Sequence, residues 1–261
     1  MKNEKPILMC GDMVQALLRA VDPKTQTRRI VKHQPIKGDV YLTKDKNVWA
    51  AQTDRSVVTY FNCKYGGCGD WLWVKETFMP KPQGQTGYYY RASLNVPSGK
   101  ISQWKPSIFM PRAASRIDLE IVQVRVDRLQ DISEADAIAE GIKHTGDRIQ
   151  DGKKTSGQIS VQRVYRNLWN AINLKPKPVY KTWHHPGLSK AEDTKSKEII
   201  GYVSFPWSLE DFKTAYPKAI DTYRGKPLTV TPNPWVWVIT FKRQRDAAPP
   251  IQEKLAARRE T

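Results

Sequence analysis

The stretch 116–129 limits the possible folds more than any other part of this chain. Ile117, Leu119 and Ile121 alternate with polar residues, and Val122, Val124 and Val126 continue the alternation one step out of phase. Successive side chains of a strand point to opposite faces, so this pattern predicts a long strand with one buried face. The single slip, between Ile121 and Val122, predicts a β-bulge, which lets a strand bend. Such a strand needs partners, and the aromatic and β-branched runs 71–77 and 235–241 supply them, with 88–92 as a further strand.

Helices are signalled between these strands. Met13, Val14, Leu17, Leu18 and Val21 recur at helical spacing behind Asp12, a plausible N-cap, and Pro23 sets the end near Val21. Ser133 followed by Asp136 resembles a capping box and Gly141 a C-terminal stop, giving a helix over 132–142 with Glu140 in its last turn. A third helix, 161–172, places Val161, Val164, Tyr165, Leu168, Trp169 and Ile172 on one face. Strands and helices together make an α+β protein.

The main domain is expected to span 6–173 and 234–245. Residues 32–68 read as a loop-rich excursion, with strand potential near 57–61. Residues 174–233 are rich in Pro and Lys, carry His184-His185 and show no strong period before Leu209, so they read as an insertion. The charged segment 246–261, with Pro249-Pro250, reads as a flexible tail.

Lys and Arg number 43 against 26 Asp and Glu, a formal charge of +17. That surplus makes polyanions the natural partners, nucleic acid first. A membrane partner is not expected: no stretch approaches the roughly 18 apolar residues of a span, and no basic amphipathic helix or lipidation signal is visible. The N-terminus lacks the apolar centre of a signal peptide, and three cysteines do not make a disulfide framework, so a cytoplasmic location is expected. Cys63 and Cys68 could meet His33 or His144 around zinc, but two unpaired cysteines beside a Gly-rich turn are the plainer reading. No metal or cofactor is expected.

One cluster stands out for chemistry. Lys24, Arg28, Arg29 and Lys32 are interleaved with Thr25, Gln26 and Thr27 in a predicted turn after the first helix. Cations and hydroxyls packed together suit an anionic ligand, and a solvated basic loop is the plain alternative.

The order Lys24-Thr25-Gln26-Thr27-Arg28-Arg29, then Gly69-Asp70-Trp71-Leu72-Trp73-Val74, then the alternating strand feeding a helix that carries Glu140, resembles the ASCH family. Longer phage and prophage proteins of that family match more closely still, through Met110-Pro111-Arg112, Asp131-Ile132-Ser133-Glu134 and Asn233-Pro234-Trp235-Val236-Trp237-Val238. The resemblance covers the core elements and leaves 32–68 and 174–233 outside it. It implies a PUA-like β-barrel with flanking helices and an inserted segment, in a bacterial host cell. Members mostly bind RNA or modified nucleobases, and small ASCH enzymes are amidohydrolases that deacylate N4-acetylcytidine with a Lys, a Thr and a Glu. Carried over, these are Lys24, Thr27 and Glu140, with Thr25, Arg28, Arg29, Trp71 and Trp73 as ligand contacts.

The trio suits amide hydrolysis. A Thr hydroxyl needs a base to take its proton, a Lys depressed by burial can be that base, and a carboxylic acid can protonate the leaving amine. The same residues also fit a non-catalytic reader of RNA or modified DNA, with Lys24 and Thr27 acting as hydrogen-bonding groups. A third reading makes the barrel a scaffold and the insertion a docking element for a host protein.

Overall fold

The computed structural model describes residues 3–32, 34, 40–43, 48–52, 58–81, 83, 85–93, 104–143, 148–150, 153–155, 160–182, 195–219 and 221–244. The predicted tail and all four histidines lie outside them. At its centre is a five-stranded sheet, in the order Glu4–Leu8, Trp71–Lys75, Asp118–Arg128, Trp235–Arg243, Gln26–Ile30. Only the first pair is parallel. The bulge falls where the phase slip put it: Thr240 pairs with Gln123 and Phe241 with Ile121, so Val122 is the extra residue.

The sheet is covered on both faces, and the closing strand Trp235–Arg243 shows why. Its Trp237, Ile239 and Phe241 join one core with Leu72, Leu119 and Ile121 from the neighbouring strands. Val14 and Leu17 of helix α1 (Gly11–Leu17) pack into that core as well. Val236 and Val238, on the opposite face, join Ala137 of helix α2 (Glu134–Ala139) and Val161, Tyr165 and Trp169 of helix α3 (Val161–Asn173). A strand buried on both sides reads as a continuous apolar run, as 235–241 does.

The class is therefore α+β with strands predominating, but the expected barrel does not close. Glu4–Leu8 and Gln26–Ile30 are opposite edges of the central sheet and do not pair with each other. Helix α1 stops at Leu17 rather than near Val21, and its N-cap is Cys10, with no side-chain cap bond, leaving Asp12 in the first turn. The excursion 32–68 holds a three-stranded antiparallel sheet of Val40–Leu42, Val48–Gln52 and Val58–Asn62. Its Trp49 meets Trp237 edge to face at 5.9 Å.

Residues 174–233 also contain regular structure, a four-stranded sheet of Lys177–Thr182, Lys195–Ser204, Lys226–Val230 and Thr222–Tyr223. Helix α4 (Leu209–Ala215) accompanies it, capped by Ser208. Asp211 of α4 holds this unit to α3, accepting from Arg166 and from Asn170 Nδ2, the latter at 2.9 Å.

Candidate functional site

The basic motif is a strand rather than a turn. Gln26–Ile30 pairs with the closing strand from Thr240↔Gln26 to Val236↔Ile30. Three backbone bonds set its entry: Lys24 N–H donates to Ala16 O, Thr25 N–H to Ala139 O, and Phe241 N–H to Thr25 O. The ends of α1 and α2 and the closing strand thus converge on Lys24 and Thr25. Gly141, just past α2, makes the convergence possible. Its φ of +93° suits glycine, and a Cβ there would lie 2.8 Å from Ala16 Cβ and 3.2 Å from Lys24 Cβ.

Strand alternation then divides the motif. Lys24 Nζ donates to Glu140 Oε2 at 2.6 Å and to the Glu140 carbonyl at 2.7 Å. Arg28 reaches the same helix, with 3.0 Å to Asp136 Oδ2 and 3.5 Å to Glu140 Oε1. Arg125, on the long strand, closes on Asp136 at 2.9 Å and on Asp127 at 2.8 Å. Lys24, Glu140, Arg28, Asp136, Arg125 and Asp127 therefore form a ladder of alternating charge with no net charge. Thr27 and Arg29 lie one residue out of step with Arg28. Arg29 donates to Thr27 Oγ1 at 2.6 Å, to Arg28 O at 2.9 Å and to Leu8 O at 2.9 Å.

This arrangement corrects the expectation of a cationic cluster open to an anion. Lys24 and Arg28 are buried and committed to carboxylates. Among the described residues Arg29 hydrogen-bonds to neutral oxygens, so the ladder leaves its charge unneutralised. Burial lowers the Lys24 pKa, the charge of Glu140 opposes that, and Arg29 and Arg28 add to the lowering.

A cleft of about 330 Å³ opens beside the ladder, within the rough 300–1,000 Å³ range of small-molecule sites. Leu8, Met13, Ile30 and Leu168 give it apolar walls, and Tyr165 and Trp169 of α3 add aromatic ones. Its polar groups include Arg28, Arg29 and Glu140, the sole carboxylate among the described lining residues. Arg28 Nε has no hydrogen-bond partner among the described residues. Burial, and then the nearby Glu140 charge, push the Tyr165 phenol well above its usual value, so it stays a neutral hydroxyl.

Of the residues expected from sequence, Glu140, Arg28 and Arg29 line this cleft and Lys24 backs it. Thr27 has no exposed surface, and its hydroxyl's partner among the described residues is Arg29, not Lys24 or Glu140. Thr25 is exposed and contributes backbone bonds. Trp71 and Trp73 do not line the cleft: Leu72 and Val74 between and beside them are the core-facing residues, and both tryptophans are half-buried on the other face. Neither therefore faces the core or reaches the cleft where a ligand contact was expected of them. Tyr165 and Trp169 entered the sequence reading only as a helix face. Their four-residue spacing was the available signal, but core aromatics share it. No metal-binding group of three or more His, Cys, Asp or Glu occurs among the described residues, where Cys63 is buried and Cys68 exposed.

Comparison of the chain with protein-family models, with curated proteins and with solved structures returns no match.

Proposed function

We propose that this chain is an ASCH-like protein that takes a nucleobase or nucleoside into the cleft, with N4-acylated cytosine as substrate class and hydrolysis of the exocyclic amide as reaction. The observation that carries this reading is the position of Glu140: the one carboxylate, among the described residues, of an apolar, aromatic-walled cleft, bonded from behind by a fully buried lysine. A flat heterocycle suits walls of Tyr165 and Trp169, while its edge needs the acceptor that Glu140 offers and the donors that Arg29 and Tyr165 offer. A buried Lys–Glu pair is also a place where a proton moves at small cost, because burial already disfavours the charged lysine.

In the hydrolytic step Lys24 first passes a proton to Glu140, and the Thr27 oxygen, released by Arg29, then bonds to the acyl carbon as its own proton passes to the neutral Lys24 amine. The C–N4 bond then breaks, with N4 taking a proton from Glu140, and water cleaves the resulting acyl ester. Incubation with a panel of N4-acylated cytidines followed by chromatography tests this reading: free cytidine should accumulate with wild type and be absent with Glu140→Gln.

One observation favours a second reading. Thr27 is inaccessible and its hydroxyl is occupied by Arg29, which suits a reader whose cleft binds a base without turnover. Quenching of tryptophan fluorescence by cytidine or its N4-acyl derivatives, with no product formed, would select it.

A further inference from the structure

A second concavity, of about 780 Å³, lies on the other side of α1 and is lined by Tyr88, Tyr89 and Tyr90 together with Arg19, Lys81 and Lys143. No carboxylate lines it among the described residues. Tyr88 and Tyr90 are braced, Tyr88 against Phe78 at 5.7 Å and Tyr90 by its hydroxyl on Ala114 O at 2.9 Å. Lys81 Nζ sits 5.7 Å from the centre of the Tyr89 ring. Tyr88 also borders a furrow containing Trp104, Lys105 and Phe109, the last 67% exposed. Toward the cleft, a depression shares Gln15 and Ala92 with the tyrosine groove and Leu8 and Cys10 with the cleft itself. Its carboxylates are Asp12 and Glu76, and Glu76 is held by Arg116 at 2.8 Å.

We propose that the Tyr88–Tyr90 groove binds single-stranded nucleic acid, carrying the nucleotides that flank a base seated in the cleft. The inference deepens the nucleobase reading of the cleft and rests on it for the direction of the strand, although the groove's own chemistry is independent of it. Every base has a face that stacks on an aromatic ring, and every phosphate has a negative charge for Arg19, Lys81 or Lys143. A duplex hides its base faces, so stacking of this kind selects single strands. A protein partner would need apolar closure or carboxylates of its own, whereas a chain of charge +17 whose aromatic groove is lined, among the described residues, by cations and no acid is complementary to a polyanion.

The test uses the full chain and fluorescein-labelled 12-mers of single-stranded RNA, single-stranded DNA and the matching duplex, followed by anisotropy across a salt series. Single strands should bind more tightly than duplex. Tyr89→Ala should weaken single-strand binding roughly tenfold while Tyr89→Phe retains it. Lys81→Ala should reduce the slope of log affinity against log salt by about 0.7. Ultraviolet cross-linking of a 4-thiouridine oligonucleotide should map to residues 88–90, a readout independent of any variant's folding. Equal affinity for duplex, binding indifferent to Tyr89→Ala, or cross-links confined to other surfaces would overturn the proposal. Failure here with intact cytidine turnover or quenching leaves the cleft as a nucleoside site, and the reverse outcome leaves the groove without the cleft.

Discussion

Deleting one member of the Lys24–Glu140 pair leaves the other, in side chains 0% and 4% exposed, without its closest charge partner, Glu140 then resting on Arg28 at 3.5 Å. An unpaired buried charge costs several kcal/mol, so Glu140→Gln or Lys24→Met alone should lower unfolding free energy by about 3–5 kcal/mol in urea titrations. The double variant should lose clearly less than the sum of the two, and simple additivity would show that the residues are not energetically coupled. Acid should act through Asp136, a ladder member at the partly open end. Burial alone would raise its pKa, but hydrogen bonding from Arg125 and the charges of Arg28 and Arg125 hold it below the ordinary carboxylate value. A depressed folded-state value means this stabilisation is complete above the ordinary pKa of 3.8 and is lost as pH falls through the lower folded-state value. Asp136→Asn should thus be less stable than wild type at neutral pH, with the gap narrowing below about pH 4 in thermal melts. A constant gap would assign Asp136 no role in acid sensitivity. Thr27→Ala separates the two readings of the cleft: it should abolish cytidine release under the hydrolase reading, with Thr27→Ser retaining it, and leave base binding near wild type under the reader reading.

At the scale of elements, the junction of α1, α2 and the motif strand depends on Gly141. Alanine there would combine a left-handed backbone with a 2.8 Å approach to Ala16 Cβ, an atom on a helix that cannot swing aside. Gly141→Ala should therefore cost more than about 2 kcal/mol and weaken ligand binding in the cleft, because relief of the clash moves Lys24 or the end of α2. A stable variant with full binding would show that the junction is pliant. Gly141 was legible in the sequence as a helix stop, as were Ser133, whose side chain accepts from Asp136 N–H at 3.0 Å, and the bulge at Val122. These features carry local signals: a cap, a turn conformation, a break in period. The division of the motif was legible in principle, since alternation from Lys24 through Gln26 to Arg28 already sets those residues apart from Thr27 and Arg29. The unit looked like a turn because cations and hydroxyls dominate it, and an edge strand tolerates them. The cleft was not legible. Its aromatic wall comes from α3 and its carboxylate from α2, and the packing that joins them to Arg29 depends on tertiary contacts that no spacing records. Within 32–68 and 174–233 the strand Val58–Asn62 was signalled by its β-branched and aromatic residues, and the others were missed for a related reason: they take their stability from cross-strand pairing rather than from periodic apolar residues.

For the whole molecule, the two roles of charge have opposite responses to salt. The interior ladder is neutral in sum, pairing Lys24, Arg28 and Arg125 with Glu140, Asp136 and Asp127, so it leaves the chain's surplus of +17 to residues outside it. Like charges on the exterior repel and destabilise the compact state, and at about 0.15 M salt the screening length is already near 8 Å. Raising sodium chloride from 50 to 500 mM should then raise the melting temperature, because screening weakens surface repulsion more than it weakens a buried ladder. The same change should lower affinity for any polyanion steeply, because bound cations no longer gain from releasing counterions into dilute solution. Thermal melts and anisotropy measured on one protein preparation over one salt series check both signs together. A melting temperature that falls with salt would mean that exposed ion pairs dominate stability, and a nucleic-acid affinity flat in salt would mean that the positive surplus is not what binds.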